Sequence, residues 1–439
     1  MRNKTSILFI VVALLLVITP VLVGCAAEEP PPPPPSEKPG TPEVEKPDVL
    51  EMNVLADVTG PYSAVMGSMP FAAEDYELMV NKNGGILGVP IKVHFFDTRN
   101  DRAVVMSEYV KLKAEGAKWM MFGQLADSEM LVDRMTEDKI IQFGGTPSDK
   151  VLWPPRAYLG SCNAIPDDWG AFAKWLSQEW EKRGETEKCR LALLNPDNPT
   201  GHASSGPGLV EYIQSLPNID LVANQRCDWR ATDLTTDVIK LWQTEPHWIW
   251  CGNLYGLFTT FLKATTTIGI RDKVEIGTIG VNADPMLTII GGAELMNGIV
   301  GTTGYMLTTD DNPGALAIKA QFKESNRNPK DFSWAYMHVA AHILPHGYKL
   351  LELTAKEHGW DGITYDNVIN ISETTERLDI STAPLWLAGK KHCSREVRMF
   401  KYFEDGAARA TTDWEKMPVD IREEQYRKAE WGWKGFEVE

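Results

Sequence analysis

The sequence predicts an α/β protein of two lobes, each organised around a parallel sheet. Three observations carry this expectation. From residue 51 onward, short strand-like runs alternate with helical stretches of about 10–15 residues, the pattern of βαβ units. About 390 residues follow a proline-rich leader, more than one ordinary core accommodates. The alternation is interrupted at 147–168 and again at 298–313 by Pro, Gly and Asn-Pro breaks, which read as lobe boundaries.

Taken in order, 52–55 reads as a strand, 71–81 as a helix, 91–96 as a strand and 102–115 as a helix. A strand at 119–122, a helix at 128–138 and a strand at 140–143 complete the first run. After the break come a helix at 169–183, a strand at 190–194, a helix at 208–216 and a strand at 220–224. The run continues with a helix at 233–242, a strand at 248–250, a helix at 254–268 and a strand at 274–278. Two further helices follow, at 315–325 and 334–358. Right-handed crossovers put helices on both faces of such sheets. Ligands of parallel α/β sheets bind outside the carboxyl ends of the strands, so two facing lobes predict a cleft between them.

The amino-terminal segment carries a different message. Arg2 and Lys4 precede an apolar run from Ile7 to Ile18, which closes on Leu22-Val23-Gly24-Cys25, and six consecutive prolines begin at Pro30. A basic region, a short apolar region and small residues before a cleavage point describe a secretory signal. The run is short for a membrane span, which needs ~20 residues. With cysteine at the junction the segment resembles a bacterial lipoprotein signal, implying cleavage after Gly24 and lipidation of Cys25. The Pro- and Glu-rich stretch behind it has little to bury and reads as an extended spacer. The expected organisation is a signal at 1–24, lipidated cysteine and spacer at 25–49, first lobe at 50–160 and second lobe at 161–298. Returns to the first lobe at 299–370 and to the second at 371–412 follow, then a tail at 413–439.

The chain has a net charge of −16 and no basic cluster, which argues against nucleic acid as a partner. Beyond Cys25, the cysteines are Cys162, Cys189, Cys227, Cys251 and Cys393. None has C-x-x-C spacing, so neither a metal site, a redox motif nor a disulfide is assigned. His338, His342 and His346 recur every four residues, but without an HExxH acid they read as surface or inter-lobe histidines. Trp169, Trp175 and Trp180 read as helix packing. No nucleophile elbow or phosphate loop is present, and no enzyme activity, cofactor or metal is expected.

Val54-Leu55-Ala56-Asp57-Val58-Thr59-Gly60-Pro61-Tyr62, followed by Asn83-Gly84-Gly85-Ile86-Leu87-Gly88, resembles the opening of leucine/isoleucine/valine-type (type I) periplasmic binding proteins. These are the substrate-binding subunits of branched-chain amino-acid ABC importers. Phe122-Gly123-Gln124-Leu125, Gly144-Gly145-Thr146 and Ile290-Gly291-Gly292-Ala293 continue the likeness, which covers roughly residues 52–403. The resemblance implies two Rossmann-like lobes joined by three hinge crossovers. It further implies a small-molecule ligand, permease subunits as partners, and closure around the ligand. It assigns the ligand carboxylate to Gly144, Gly145 and Thr146, and ligand contacts to Tyr62, Gln124 and Leu125. Glycines at the first two of these positions would let backbone N–H groups approach an anion closely. Trp334 and Tyr336 begin a helix that the family places near the hinge side of the cleft.

Several positions depart from the family pattern. Ala126 and Asp127 stand where two small hydroxyl residues are usual. Thr200-Gly201, with His202 next, replaces a Tyr-Gly. Tyr255 follows the strand at 248–250, where relatives also carry a tyrosine. After the strand at 274–278, the acid that amino-acid binders set against the ligand ammonium is missing from Ile279-Gly280-Val281-Asn282, and the nearest candidate is Asp284. Two ligand classes follow: an amino acid whose ammonium is taken by Asp284 or Asp127, or a carboxylate or amide without an ammonium. A ligand-sensing module serving a membrane receptor would use the same clamp.

Overall fold

The computed structural model describes residues 46–416, except 153, 253, 381–383, 388–391 and 395. The signal, Cys25, the spacer up to residue 45 and the tail beyond residue 416 lie outside them. The described residues belong to one compact unit, Val44–Glu439.

Five parallel strands make the first sheet: β1 (Leu50–Ala56), β2 (Ile91–Asp97), β3 (Trp119–Phe122), β4 (Ile141–Gly144) and β5 (Tyr158–Gly160), in the order β2-β1-β3-β4-β5. β1 is buried on both faces except at Glu51, as a central strand covered by helices must be. β5 falls inside the predicted break, because Pro154, Pro155 and a three-residue strand give no periodic signal.

The second sheet is mixed rather than purely parallel. β6 (Cys189–Pro196), β7 (Ile219–Cys227), β8 (Trp248–Cys251), β9 (Glu275–Ile279) and β10 (Val300–Thr303) run parallel in the order β7-β6-β8-β9-β10. After the small hairpin of β11 (Arg377–Asp379) and β12 (Pro384–Trp386), β13 (Glu396–Tyr402) joins β10 antiparallel. It carries β14 (Ala408–Ala410) and β15 (Glu415–Lys416). β10 lies within the second predicted break. Its Gly-Thr-Thr composition resembles a turn, but Gly301 is needed: a Cβ there would meet the Phe400 ring and the Thr278 carbonyl at 2.4 Å. Buried Thr302 satisfies its hydroxyl on the Asp168 carbonyl (3.1 Å).

The chain passes between the sheets three times. Beyond β5 it enters the helix Ile165–Lys182, which packs on β9, β10 and β13. There Trp169 and Phe172 meet Trp250 at 4.2 and 4.1 Å between ring centroids. Beyond β10 it returns through the helix Pro313–Glu324, which packs on Met69–Lys82 beside the first sheet. It crosses again after the helix Tyr365–Thr374 to form β13.

The predicted helix 334–358 is interrupted. Trp334–His338 and Leu344–His358 are α-helical, and Val339–Ile343 between them is a π turn. Pro345 lacks the N–H that an α register would require and its ring crowds the preceding turn, which is a recognised cause of such bulges. His338, His342 and His346 are all buried, not on the surface. Burial pushes His338 and His346 down to about 3 and holds His342 low as well, so all three are neutral. His342 Nε2 accepts the Met306 N–H at 2.7 Å. Among the described residues no cluster of three His, Cys, Asp or Glu could hold a metal, and no helix is long and apolar enough to cross a membrane.

Candidate functional site

A cavity of about 800 Å³ opens between the carboxyl ends of the two sheets, within the size range of small-molecule sites. The first sheet contributes the loops after β1, β2, β3 and β4. The second contributes those after β6, β7, β8, β9 and β10.

The loop after β1 is shaped by Asp57. Its buried carboxylate accepts the N–H groups of Gly60 (2.6 Å) and Tyr62 (2.8 Å), closing a tight turn. Gly60 is obligatory, since a Cβ would stand 2.8 Å from the Arg99 backbone. The turn delivers Tyr62 to the mouth of the cavity. There its ring stacks on Trp229 of the opposite lobe, 5.7 Å between centroids and 7° from parallel. The Arg230 guanidinium lies 4.5 Å from the Trp229 ring, and Asn198 reaches the Tyr62 hydroxyl.

Beyond β3, Gln124, Leu125, Ala126 and Asp127 all line the cavity. Gln124 Oε1 accepts the Asp57 N–H at 3.2 Å, while its Nε2 is buried without a partner. Asp127, in the first turn of the helix Leu125–Glu137, is 3 % exposed and its Oδ2 is unpartnered. Burial pushes its carboxyl up to about 6, against the pull of the Arg102 guanidinium.

Gly145 and Thr146 line the cavity and Gly144 lies just behind. Each of the two glycines is required by a neighbouring ring. A Cβ at Gly144 would sit 2.3 Å from Tyr158 Oη, and one at Gly145 only 2.0 Å from His338 Nε2. The Thr146 hydroxyl reaches the Cys162 thiol.

On the second lobe Thr200 lines the cavity, in a short helix Pro199–Ala203 capped by Asn198. His202 points away, exposed and bonded to Asp197 at 2.7 Å. Leu254, not Tyr255, reaches the cavity. Tyr255, Asn282 and Asp284 instead form a buried node behind the wall. Asn282 Oδ1 accepts the Tyr255 N–H (3.0 Å) and its Nδ2 donates to Thr278 Oγ1 (2.8 Å). Asp284 caps the helix Pro285–Gly291 by accepting the Met286 N–H (2.7 Å). Its other oxygen accepts the Trp334 N–H (2.6 Å) and the Tyr255 hydroxyl.

Trp229, Arg230, Asp168 and Tyr305 escaped the sequence reading. Trp229 and Arg230 follow β7, so the rule that ligands gather at strand carboxyl ends could have found them. Asp168 lies in the first turn of the helix Ile165–Lys182, where an acid looks like an ordinary dipole or capping residue. The capping bond to the Ala164 N–H belongs to Asp167, while Asp168 faces the cavity. Its Oδ1 accepts from Asn163 Nδ2 at 2.9 Å, and burial pushes the carboxyl up to about 8. Tyr305 and Trp334 stand beside it on the cavity wall, 5.5 Å apart and edge to face. The cations lining the cavity, Arg102 and Arg230, are exposed at its rim.

Residues 52–357 match the periplasmic binding protein family. No curated protein matches the chain in sequence. Solved structures share the fold. A branched-chain amino-acid ABC transporter protein from Thermus thermophilus with bound valine superposes with TM-score 0.72 at 15% identity, over 86% of this chain and 99% of that one. A fatty-acid ABC transporter substrate-binding protein from Thermomonospora curvata gives 0.71 at 15% identity, over 85% and 94%. A solute-binding protein from Rhodopseudomonas palustris HaA2 in complex with p-hydroxybenzoic acid gives 0.70 at 13%, over 85% and 98%.

Proposed function

The chain belongs to the type I periplasmic binding protein family, and from that premise we propose that it is an extracytoplasmic solute-binding protein that delivers a small ligand to an ABC importer. Cys25 carries the lipid that tethers it, and the proline-rich spacer holds the body away from the bilayer. The mechanism is hinge closure: the lobes rotate about the three crossings, the ligand is enclosed between strand ends, and the closed form docks on the permease.

The observation that carries this reading is the cavity itself, built from both lobes and spanned at its mouth by the Tyr62–Trp229 stack. A ligand that touches both lobes binds the closed form better than the open one, which is what drives closure. Small-angle scattering of the soluble body, with and without a ligand that raises its melting temperature, tests it. The expected result is a smaller radius of gyration at saturation; unchanged dimensions would overturn hinge closure. For the anchor, Cys25→Ser is expected to abolish lipid attachment, and a variant that still gained lipid would refute that assignment.

A further inference from the structure

We propose that the ligand is a net cationic amine, with its carboxylate absent or capped, whose ammonium docks on Asp168 and whose opposite end faces Asp127. The inference rests on the solute-binding reading of the cleft and narrows it to a ligand class.

Three independent features point this way. The first is charge. Asp168 and Asp127 both face the cavity, one from each lobe, and neither has a basic partner in its interior. Around Asp168 stand Asn163, Asp167, Cys162 and Tyr305, and around Asp127 stand Asp57 and, at the exposed rim, Arg102. A buried carboxylate without a cation is costly, and its usual resolution is a proton or a positive partner. Neither acid earns its place as a helix cap, since Asp127 Oδ2 has no partner and Asp168 takes only the Asn163 amide. The second feature is the Gly144–Thr146 segment. Among the described residues no basic side chain lines the cavity beside it, and burial keeps the neighbouring His338 imidazole neutral, so a carboxylate there would have no cation to pair with. The third is the wall beside Asp168. Tyr305 and Trp334 present aromatic rings, which attract a cation held over their faces.

A zwitterionic amino acid would satisfy Asp168 with its ammonium but bring a carboxylate into an acidic interior. A deaminated acid would bring only the unfavourable half. An amine or an amino-acid amide brings only the favourable one.

The test uses four isosteric probes on the intact soluble body: 3-methylbutylamine, leucinamide, leucine and 4-methylpentanoate. Phenylalanine and its three counterparts serve as a larger set. Calorimetric titration is expected to rank amine and amide above amino acid, with no binding by the acid. Amine affinity is expected to rise with pH between 6 and 8, approaching tenfold per pH unit, because binding displaces the proton from Asp168. Asp168→Asn is expected to weaken amine binding by roughly 100-fold or more. It should not lower the melting temperature of the unliganded protein, because a neutral amide replaces a buried acid. Two outcomes overturn the proposal while leaving the solute-binding reading intact: binding by the acids with affinity falling as pH rises, or amine binding unaffected by Asp168→Asn. Binding by no probe of either set, at any pH, overturns the amine assignment outright; compaction by a chemically unrelated solute would then still uphold the cleft.

Discussion

Asp284→Asn separates two roles that the sequence left confounded. Asp284 is the nearest acid to the position where amino-acid binders hold the ligand ammonium, yet its carboxylate is fully enclosed and turned away from the cavity. It joins three elements: the helix Pro285–Gly291 through Met286, the helix Tyr255–Thr267 through the Tyr255 hydroxyl, and the start of the 334–358 segment through the Trp334 N–H. Its carbonyl also accepts the Tyr402 hydroxyl from β13 (3.1 Å). Asparagine keeps one oxygen, enough for the cap. Its amide group then faces the Trp334 N–H donor and loses the charge-assisted bond from Tyr255. Two bonds to a charged group are worth about 1.5–3 kcal/mol each, and relief of the buried charge returns part of that. Burial raises the Asp284 carboxyl despite its three donors, so this return is real. The net destabilisation is about 3 kcal/mol.

With an unfolding entropy of ~2.1 cal/mol/K per residue over roughly 370 residues, that loss lowers the melting temperature by about 4 °C. Scanning calorimetry reads the shift, and titration well below the transition reads ligand affinity, which is expected to stay within about twofold. Asp284→Ala, which also removes the cap, adds about 1 kcal/mol. The reasoning fails if the melting temperature of Asp284→Asn is unchanged while ligand affinity collapses. Asp284 would then reach the ligand after all.

How far the fold could be read in advance follows from how each segment announces itself. β1 to β4 and β6 to β9 are apolar runs flanked by amphipathic helices, and pattern alone finds them. β10 is Val-Gly-Thr-Thr, and its threonines are buried only because partners such as the Asp168 carbonyl exist in the folded state. β13 belongs to the second sheet through an antiparallel pairing across about 100 residues of sequence, which no local signal encodes. The π turn needed knowledge of where Pro345 falls within an otherwise helical pattern. At the site, the loops that follow strands were legible from topology, and Tyr62, Gln124–Asp127, Gly145, Thr146 and Thr200 do line one cavity. Asp168 was not legible, because its exposure to that cavity depends on which way the helix Ile165–Lys182 faces. Tyr255 and Asp284 look alike in sequence whether they point into the cavity or bond each other behind it, and capping geometry decides for the latter.

Three further outcomes follow from the geometry. Gly145→Ala drives a methyl into His338 and is expected to destabilise the protein by about 1–3 kcal/mol, read as a lowered urea midpoint; an unchanged midpoint would show that the ring moves freely. Trp229→Ala removes the stack across the mouth, worth about 0.5–1.5 kcal/mol beyond its buried area. Scattering of the unliganded variant should show a larger radius, and identical curves would show that the stack does not hold the lobes. The last concerns pH and isolates Asp168. Its folded-state pKa, near about 8, lies above the unfolded value near ~3.9, so between these the native state binds the extra proton and stability falls as pH rises. Below about pH 6.5 the buried histidines act in the opposite sense. Their folded values are depressed, so they weaken the native state as pH falls. Unfolded histidine, with a pKa near ~6.5, still carries part of its charge at pH 7, so this opposing contribution fades only above about pH 7.5, where Asp127, with a folded value of about 6, is ionised. From about pH 7.5 to 8.5 the remaining slope therefore belongs mainly to Asp168 and is about 1 kcal/mol per pH unit at its lower end. Urea midpoints of the unliganded wild type should fall across that window, and those of Asp168→Asn should stay level. Parallel slopes in the two proteins would mean that Asp168 is not the uncompensated buried acid on which the ligand assignment depends.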